Sequence, residues 1–142
     1  MKKIAKILLG LIFLLQIAVA GTYTSIYDAL PEAQNENKLI AFFILSSNCP
    51  HCIKFMQDVN NNKNLLNFLQ NKYVVVYTDI ARGGKVPVDL PFQGETPTFM
   101  IVTPSGRVVM QPIEGIIPSA MLYDFVKKVQ LLKEKYDESS GL

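Results

Sequence analysis

LIAFFILSSNCPHCIKFMQDV, residues 39–59, holds two patterns joined by a polar turn. Leu39 to Leu45 is apolar at every position, without alternation. A short, aromatic-rich run of this kind suits a strand buried on both faces of a sheet. From Cys49 the pattern changes. Cys52, Ile53, Met56 and Val59 recur near one helical face, and Asn60, Asn61 and Asn62 should end that helix, because Asn favours turns and caps. A buried strand thus runs directly into a helix that opens on Cys-Pro-His-Cys.

The flanking segments extend this unit. Ile26, Ala29, Leu30 and Ala33 give Ser25 to Asn37 a helical spacing, weakened by Pro31. Leu65, Leu66, Phe68 and Leu69 predict another short helix, and Tyr73 to Tyr77 a second buried strand. A loop marked by Gly83, Gly84, Pro87 and Pro91 follows. Thr98 to Thr103 and Arg107 to Gln111 read as a third and fourth strand, paired as a hairpin through the turn Pro104-Ser105-Gly106. Pro118 suits a first helical turn, and Met121, Leu122, Phe125, Val129 and Leu132 keep a helical period to about Tyr136. The first two strands, joined by helices, should be parallel. The expected fold is a small α/β domain: a mixed sheet of about four strands, two parallel plus an antiparallel hairpin, with helices on both faces.

Composition separates an export tag from a domain. The 142 residues are 49% hydrophobic with a net charge of +2, but residues 1–20 carry Lys2, Lys3 and Lys6 and no acid. Ile7 to Val19 is almost unbroken apolar sequence, and Ala18-Val19-Ala20 is a small-x-small site before Gly21. This order of parts reads as a signal peptide cleaved after Ala20. An uncleaved anchor is the alternative, though the run is short for a span of about 20 residues. Residues 21–142 then form one domain with 11 basic and 12 acidic side chains. Such a balance excludes the basic excess of a nucleic-acid binder. The expected location is periplasmic or otherwise secreted, where disulfides persist.

Cys49 and Cys52 are the only cysteines. At the junction of a buried strand and a helix, C-x-x-C reads as a redox dithiol. Two intervening residues on a first helical turn bring the sulfurs within bonding reach. The Cys49 sulfur should lie beside free N–H groups at the helix N-terminus, which stabilise a thiolate. Cys52, one turn deeper, suits the resolving role. His51, the only histidine, reads as a neighbour that favours the Cys49 thiolate, against the plainer reading of an exposed residue without a role. Pro50 suits the first turn and removes one N–H from the set around the sulfurs. Other chemistries fit less well. A structural zinc site needs four ligands, and c-type haem attachment needs His directly after the second cysteine, where Ile53 stands. A protease-type pair needs a base elsewhere in the chain. A disulfide closing so short a loop would stabilise little. The second motif is Thr96-Pro97 at a strand start, either a plain loop-ending proline or a cis bond beside the dithiol.

The strand leading into Cys49-Pro50-His51-Cys52, the Thr96-Pro97 strand start and the export segment together resemble the thioredoxin superfamily over most of residues 25–136. The resemblance implies a cis Pro97 facing the dithiol and a Thr96 whose backbone pairs with substrate. Pro-His between the cysteines is similar to the periplasmic disulfide oxidases of the Dsb type, whereas Thr before the proline is similar to the isomerase branch. Departures are visible too. The spacing from Cys52 to Pro97 leaves no room for the oxidases' helical insertion. The family's first strand is not obvious in Gly21 to Leu39. Phe43 stands where such proteins often carry a buried acid.

The implied function is a periplasmic thiol–disulfide oxidoreductase acting on protein cysteines or disulfides. It would work as a monomer without a cofactor or metal, with a membrane redox partner. His51 points towards an oxidant, and a reductant or isomerase is the alternative. A reading of another class is a chain-binding module that uses the dithiol only as a redox switch.

Overall fold

The computed structural model describes residues 21–141. The signal segment expected at residues 1–20 lies outside the described residues. Nine elements follow in order: β1 (Thr22–Tyr23), α1 (Ile26–Glu36), β2 (Leu39–Leu45), α2 (Pro50–Asn61), α3 (Lys63–Lys72), β3 (Tyr73–Asp79), β4 (Thr98–Val102), β5 (Ile113–Glu114) and α4 (Ser119–Ser140). A short 3-10 turn, Ile80–Arg82, follows β3. The sheet order is β1-β3-β2-β4-β5. β2 pairs in parallel with β3 from Leu39 to Leu45 and antiparallel with β4 from Ile40 to Ile44.

The central place of β2 explains its unbroken apolar sequence. Successive side chains point to opposite faces, and both faces are covered. Leu39, Ala41 and Phe43 join a core with Phe55 and Val59 of α2, Leu65 and Leu69 of α3, and Leu122 and Val126 of α4. Ile40, Phe42 and Ile44 join a second core with Ile26, Ala29 and Ala33 of α1, and with Leu90 from the loop after β3. Val75 and Val74 of β3 divide between the two cores in the same way.

Helix ends follow local chemistry. α1 tolerates the internal Pro31 and stops at Asn37, which is left-handed (φ 50°) and donates its N–H to the carbonyls of Ala33 and Gln34. Asn62 ends α2 and caps α3, its Oδ1 accepting the Leu65 N–H at 3.0 Å. α4 starts after Pro118, which has no capping side chain. Asp58 of α2 supplies the cap from across the interface, accepting from the Ser119 N–H at 2.7 Å and the Ser119 hydroxyl at 3.0 Å.

The expected mixed sheet gains an edge strand, and the placement of its fourth strand needs correction. The sheet has five strands among the described residues, because β1 pairs Thr22 and Tyr23 with Val75 and Val76 of β3. The fourth strand is not Arg107–Gln111. After the tight turn, Val108 makes only an isolated bridge to Val102, and the ladder resumes as β5, with Ile113 opposite Phe99 and Glu114 opposite Thr98. Between these points the second arm carries two more residues than β4, so the register breaks. Pro112 lies within that break and has no N–H for a ladder.

Asp58→Ala should lower the unfolding free energy by about 1–2 kcal/mol, the range for losing a helix cap. Asp58→Asn should recover part of it. Denaturant unfolding of both variants measures the difference.

Candidate active site

β2 delivers the chain to the site. The turn Ser46–Asn48 closes when the Cys49 N–H donates to the Ser46 carbonyl at 3.1 Å. Cys49 is the N-cap of α2 and Pro50 its first helical residue, so the Cys49 sulfur occupies the place where a Ser or Asp oxygen commonly sits. Its Sγ accepts the Cys52 N–H at 3.1 Å. As a thiol it lies 3.5 Å from the Thr96 carbonyl. Both cysteines are free thiols in this structure, Cys49 half-buried and Cys52 3% exposed.

The environment drives the two sulfurs apart. Burial alone would raise the Cys49 pKa. Hydrogen bonds from Cys52, the Thr96 side chain and the N–H groups of Cys52 and His51 outweigh it, and the Cys49 thiol titrates below its ordinary value. Cys52 moves the other way. Burial pushes its thiol up, its hydrogen bond to Cys49 adds to that, and a backbone hydrogen bond from Ser46 opposes it only in part. A partly exposed, more acidic thiol beside a buried, less acidic one is the division of labour that thiol–disulfide exchange needs.

The Thr96–Pro97 peptide is cis. The loop that carries it is pinned on both sides. The Thr98 hydroxyl donates to the Glu95 carbonyl at 2.7 Å, and the Gly115 N–H donates to the Pro97 carbonyl at 2.8 Å. Gly115 has φ 81°, the left-handed conformation that favours glycine, just after β5. Thr96 and Pro97 line a groove of about 340 Å³ with His51, Glu95, Gly115 and Ile116. His51 itself is exposed, and its contribution to Cys49 is its backbone N–H. Among the described residues no hydrogen bond joins its ring to the Cys49 sulfur. Pro50 is exposed at the helix start.

Beneath the dithiol the floor is aromatic. Phe43 is fully buried, its ring 4.9 Å from Tyr77 (stacked) and 4.8 Å from Phe99 (tilted). No carboxylate occupies this position of β2. On the side away from Pro97, Cys52 instead borders a groove of about 370 Å³, lined also by Ser46, Ile53, Met56, Tyr77 and Asp79. Among the described residues, no three His, Cys, Asp or Glu side chains gather as metal ligands do, and no helix is long and apolar enough to cross a membrane.

A parallel-antiparallel sheet with a dithiol opening α2 and a cis-proline loop facing it defines the thiol–disulfide oxidoreductase class. Residues 26–130 match the family model described as a thioredoxin-like domain, and the chain belongs to that family. No curated protein sequence matches the chain. Among solved structures it is similar to a thioredoxin from Thermus thermophilus, at 24% identity over 76% of this chain and 85% of that one, with a TM-score of 0.58. It is also similar to the DsbH oxidoreductase, at 17% identity over 82% and 90%, with a TM-score of 0.61. The C-terminal domain of Neisseria meningitidis DsbD in its oxidised form matches at 12% identity over 76% and 98%, with a TM-score of 0.59.

Of the residues singled out from sequence, the structure gathers Cys49, Cys52 and Thr96 around one pair of sulfurs and places His51 and Pro97 on one groove. Sequence reasoning missed Gly115 and Ile116, which complete that groove just after β5, and Asp79. The signal for Asp79 was its place, an acid at the end of a buried strand and four residues before Gly83-Gly84.

In reduced protein alkylated with iodoacetamide across a pH series, Cys49 should react faster than Cys52 at neutral pH, because its thiol is lowered and more exposed while that of Cys52 is raised and buried. A depressed pKa keeps the thiolate as pH falls, so Cys49 labelling should persist below the ordinary thiol range. Cys52 labelling should vanish first. Peptide mass spectrometry reads both.

Proposed function

We propose that the protein is a periplasmic thiol–disulfide oxidoreductase that exchanges disulfides with protein cysteines through Cys49 and Cys52, working as an oxidant. The observation that carries this reading is the Cys49 sulfur at the N-terminus of α2, accepting the Cys52 N–H at 3.1 Å while Cys52 stays buried. In the oxidised form, the two sulfurs are joined. A substrate thiolate attacks Cys49 Sγ, the Cys49–Cys52 bond breaks, and its electron pair goes to Cys52, which takes a proton. A second substrate thiolate attacks the substrate sulfur of the mixed disulfide. The substrate disulfide forms, and Cys49 leaves as the thiolate that the helix stabilises. Two electrons have passed to the enzyme, and a membrane redox partner removes them.

Stabilising the Cys49 thiolate stabilises the reduced enzyme, which makes its disulfide the stronger oxidant. The cis Thr96–Pro97 loop, 3.5 Å from Cys49 through the Thr96 carbonyl, supports a substrate strand pairing with Thr96. The lysine-led apolar segment at residues 1–20 supports export. With Phe43 in place of an acid, the proton on Cys52 comes and goes through the groove beside Ser46 and Tyr77. Ile53, 54% exposed, and Ile116 beside the other groove favour one further reading, a redox-switched module that holds extended chains. In that case Cys49→Ser with Cys52→Ser keeps partner binding.

The parent should catalyse oxidation of a dithiol peptide and Cys49→Ala should fall to the uncatalysed rate. Equal rates would sink the enzymatic reading. Equilibration against glutathione should place the pair closer to ~−120 mV, a strong oxidant's value, than to ~−270 mV, a reductant's. The opposite result would reverse the direction.

A further inference from the structure

Asp79 ends β3, opposite Leu45, and meets the active-site turn from the neighbouring strand. Its Oδ1 accepts the Ser47 N–H at 3.0 Å and the Ala81 N–H at 3.0 Å. Arg82 lies 3.6 Å from Oδ2, and the Asp79 carbonyl accepts the Gly84 N–H at 2.9 Å. The chain is wrapped so closely here that a Cβ on Gly84 would stand 2.6 Å from the Asp79 carbonyl oxygen. Only glycine permits that approach. Asp79 is therefore held from its own side by the Ile80–Gly84 turn, and its carboxylate holds Ser47.

Ser47 is the middle residue of the turn that carries the dithiol. On one side of it Ser46 accepts the Cys49 N–H and lines the groove that Cys52 borders. On the other, Asn48 leads into the N-cap. We propose that Asp79 is a positioning residue for the dithiol: through the Ser47 N–H it fixes the turn that seats Cys49 on the N-terminus of α2 and Ser46 against Cys52. The Ser47 and Ala81 N–H groups and Arg82 also hold its carboxyl below the usual carboxylate range, so the acceptor is charged across the working pH. Asp79 lines the groove that reaches Cys52, linking the two sites of contact. This inference rests on the redox reading of Cys49 and Cys52.

Position and charge act with opposite signs. A negative charge near the thiols disfavours a thiolate, so deleting the charge alone raises Cys49 reactivity. Deleting the acceptor frees the turn and lowers it. The other titratable groups around the dithiol, His51 on α2, Glu95 on the proline loop, Tyr77 on β3 and Arg82 after it, are unchanged in either variant. The test is the rate and pH midpoint of Cys49 alkylation in full-length reduced protein, with thermal melting alongside. Asp79→Ala should lower the neutral-pH rate about fivefold, the weight of one hydrogen bond. Asp79→Asn, which keeps the Oδ1 acceptor, should match or exceed the parent. Gly84→Ala, which pushes on the Asp79 backbone, should lower the rate too, and it carries the test if Asp79→Ala does not fold. Equal effects of the Ala and Asn variants, or a parental rate in a folded Asp79→Ala or Gly84→Ala variant, would overturn the inference. A parent whose Cys49 reacts no faster than Cys52 would overturn the redox reading itself, and the inference with it.

Discussion

The Cys52 N–H lies in the first turn of α2, where no carbonyl four residues back belongs to the helix, and it is shared between the Cys49 carbonyl and the Cys49 sulfur, each at 3.1 Å. Everything else at the site serves to place that sulfur on that donor. β2, paired on both sides and buried on both faces, fixes where the chain leaves the sheet. The Ser46–Asn48 turn sets the angle into the helix, and Pro50 supplies the first helical φ. A helix begun one residue later would leave the sulfur without its donor and the thiol without its anionic form.

The second constraint is the dry floor. Phe43, Phe55 and Phe99 are buried, and Tyr77 stacks on Phe43 beside the groove that reaches Cys52. Burial of this kind penalises charge, so it raises the Cys52 thiol while the helix end lowers that of Cys49. The asymmetry of the pair therefore comes from two ordinary sources, a helix terminus and a hydrophobic core, placed on the two sides of one helical turn. A carboxylate at position 43 would blunt that asymmetry by giving Cys52 a buried neighbour to exchange protons with.

The elements that define the fold were legible because their signals are long and local. Leu39–Leu45 matches its expected bounds, β3 extends Tyr73–Tyr77 by two residues, and α4 runs four residues beyond Tyr136. The edge strands were not legible. Thr22–Tyr23 is too short to leave a pattern and is a strand only through Val75 and Val76. Arg107–Gln111 has the composition of a strand, but the ladder follows register rather than composition and resumes at Ile113. At the site, Cys49 and Cys52 were legible from a spacing, and Thr96-Pro97 from a family pattern. Asp79 was not, since its partner Ser47 lies 32 residues earlier and an acid after a strand looks like any solvated side chain.

The ultraviolet absorbance of thiolate, followed as reduced protein is titrated with base, tests the central claim most directly. The account predicts two separated steps: one thiolate gained below the ordinary thiol range and lost in Cys49→Ala, and the other gained only above it. Two thiols ionising together in the ordinary range would contradict it.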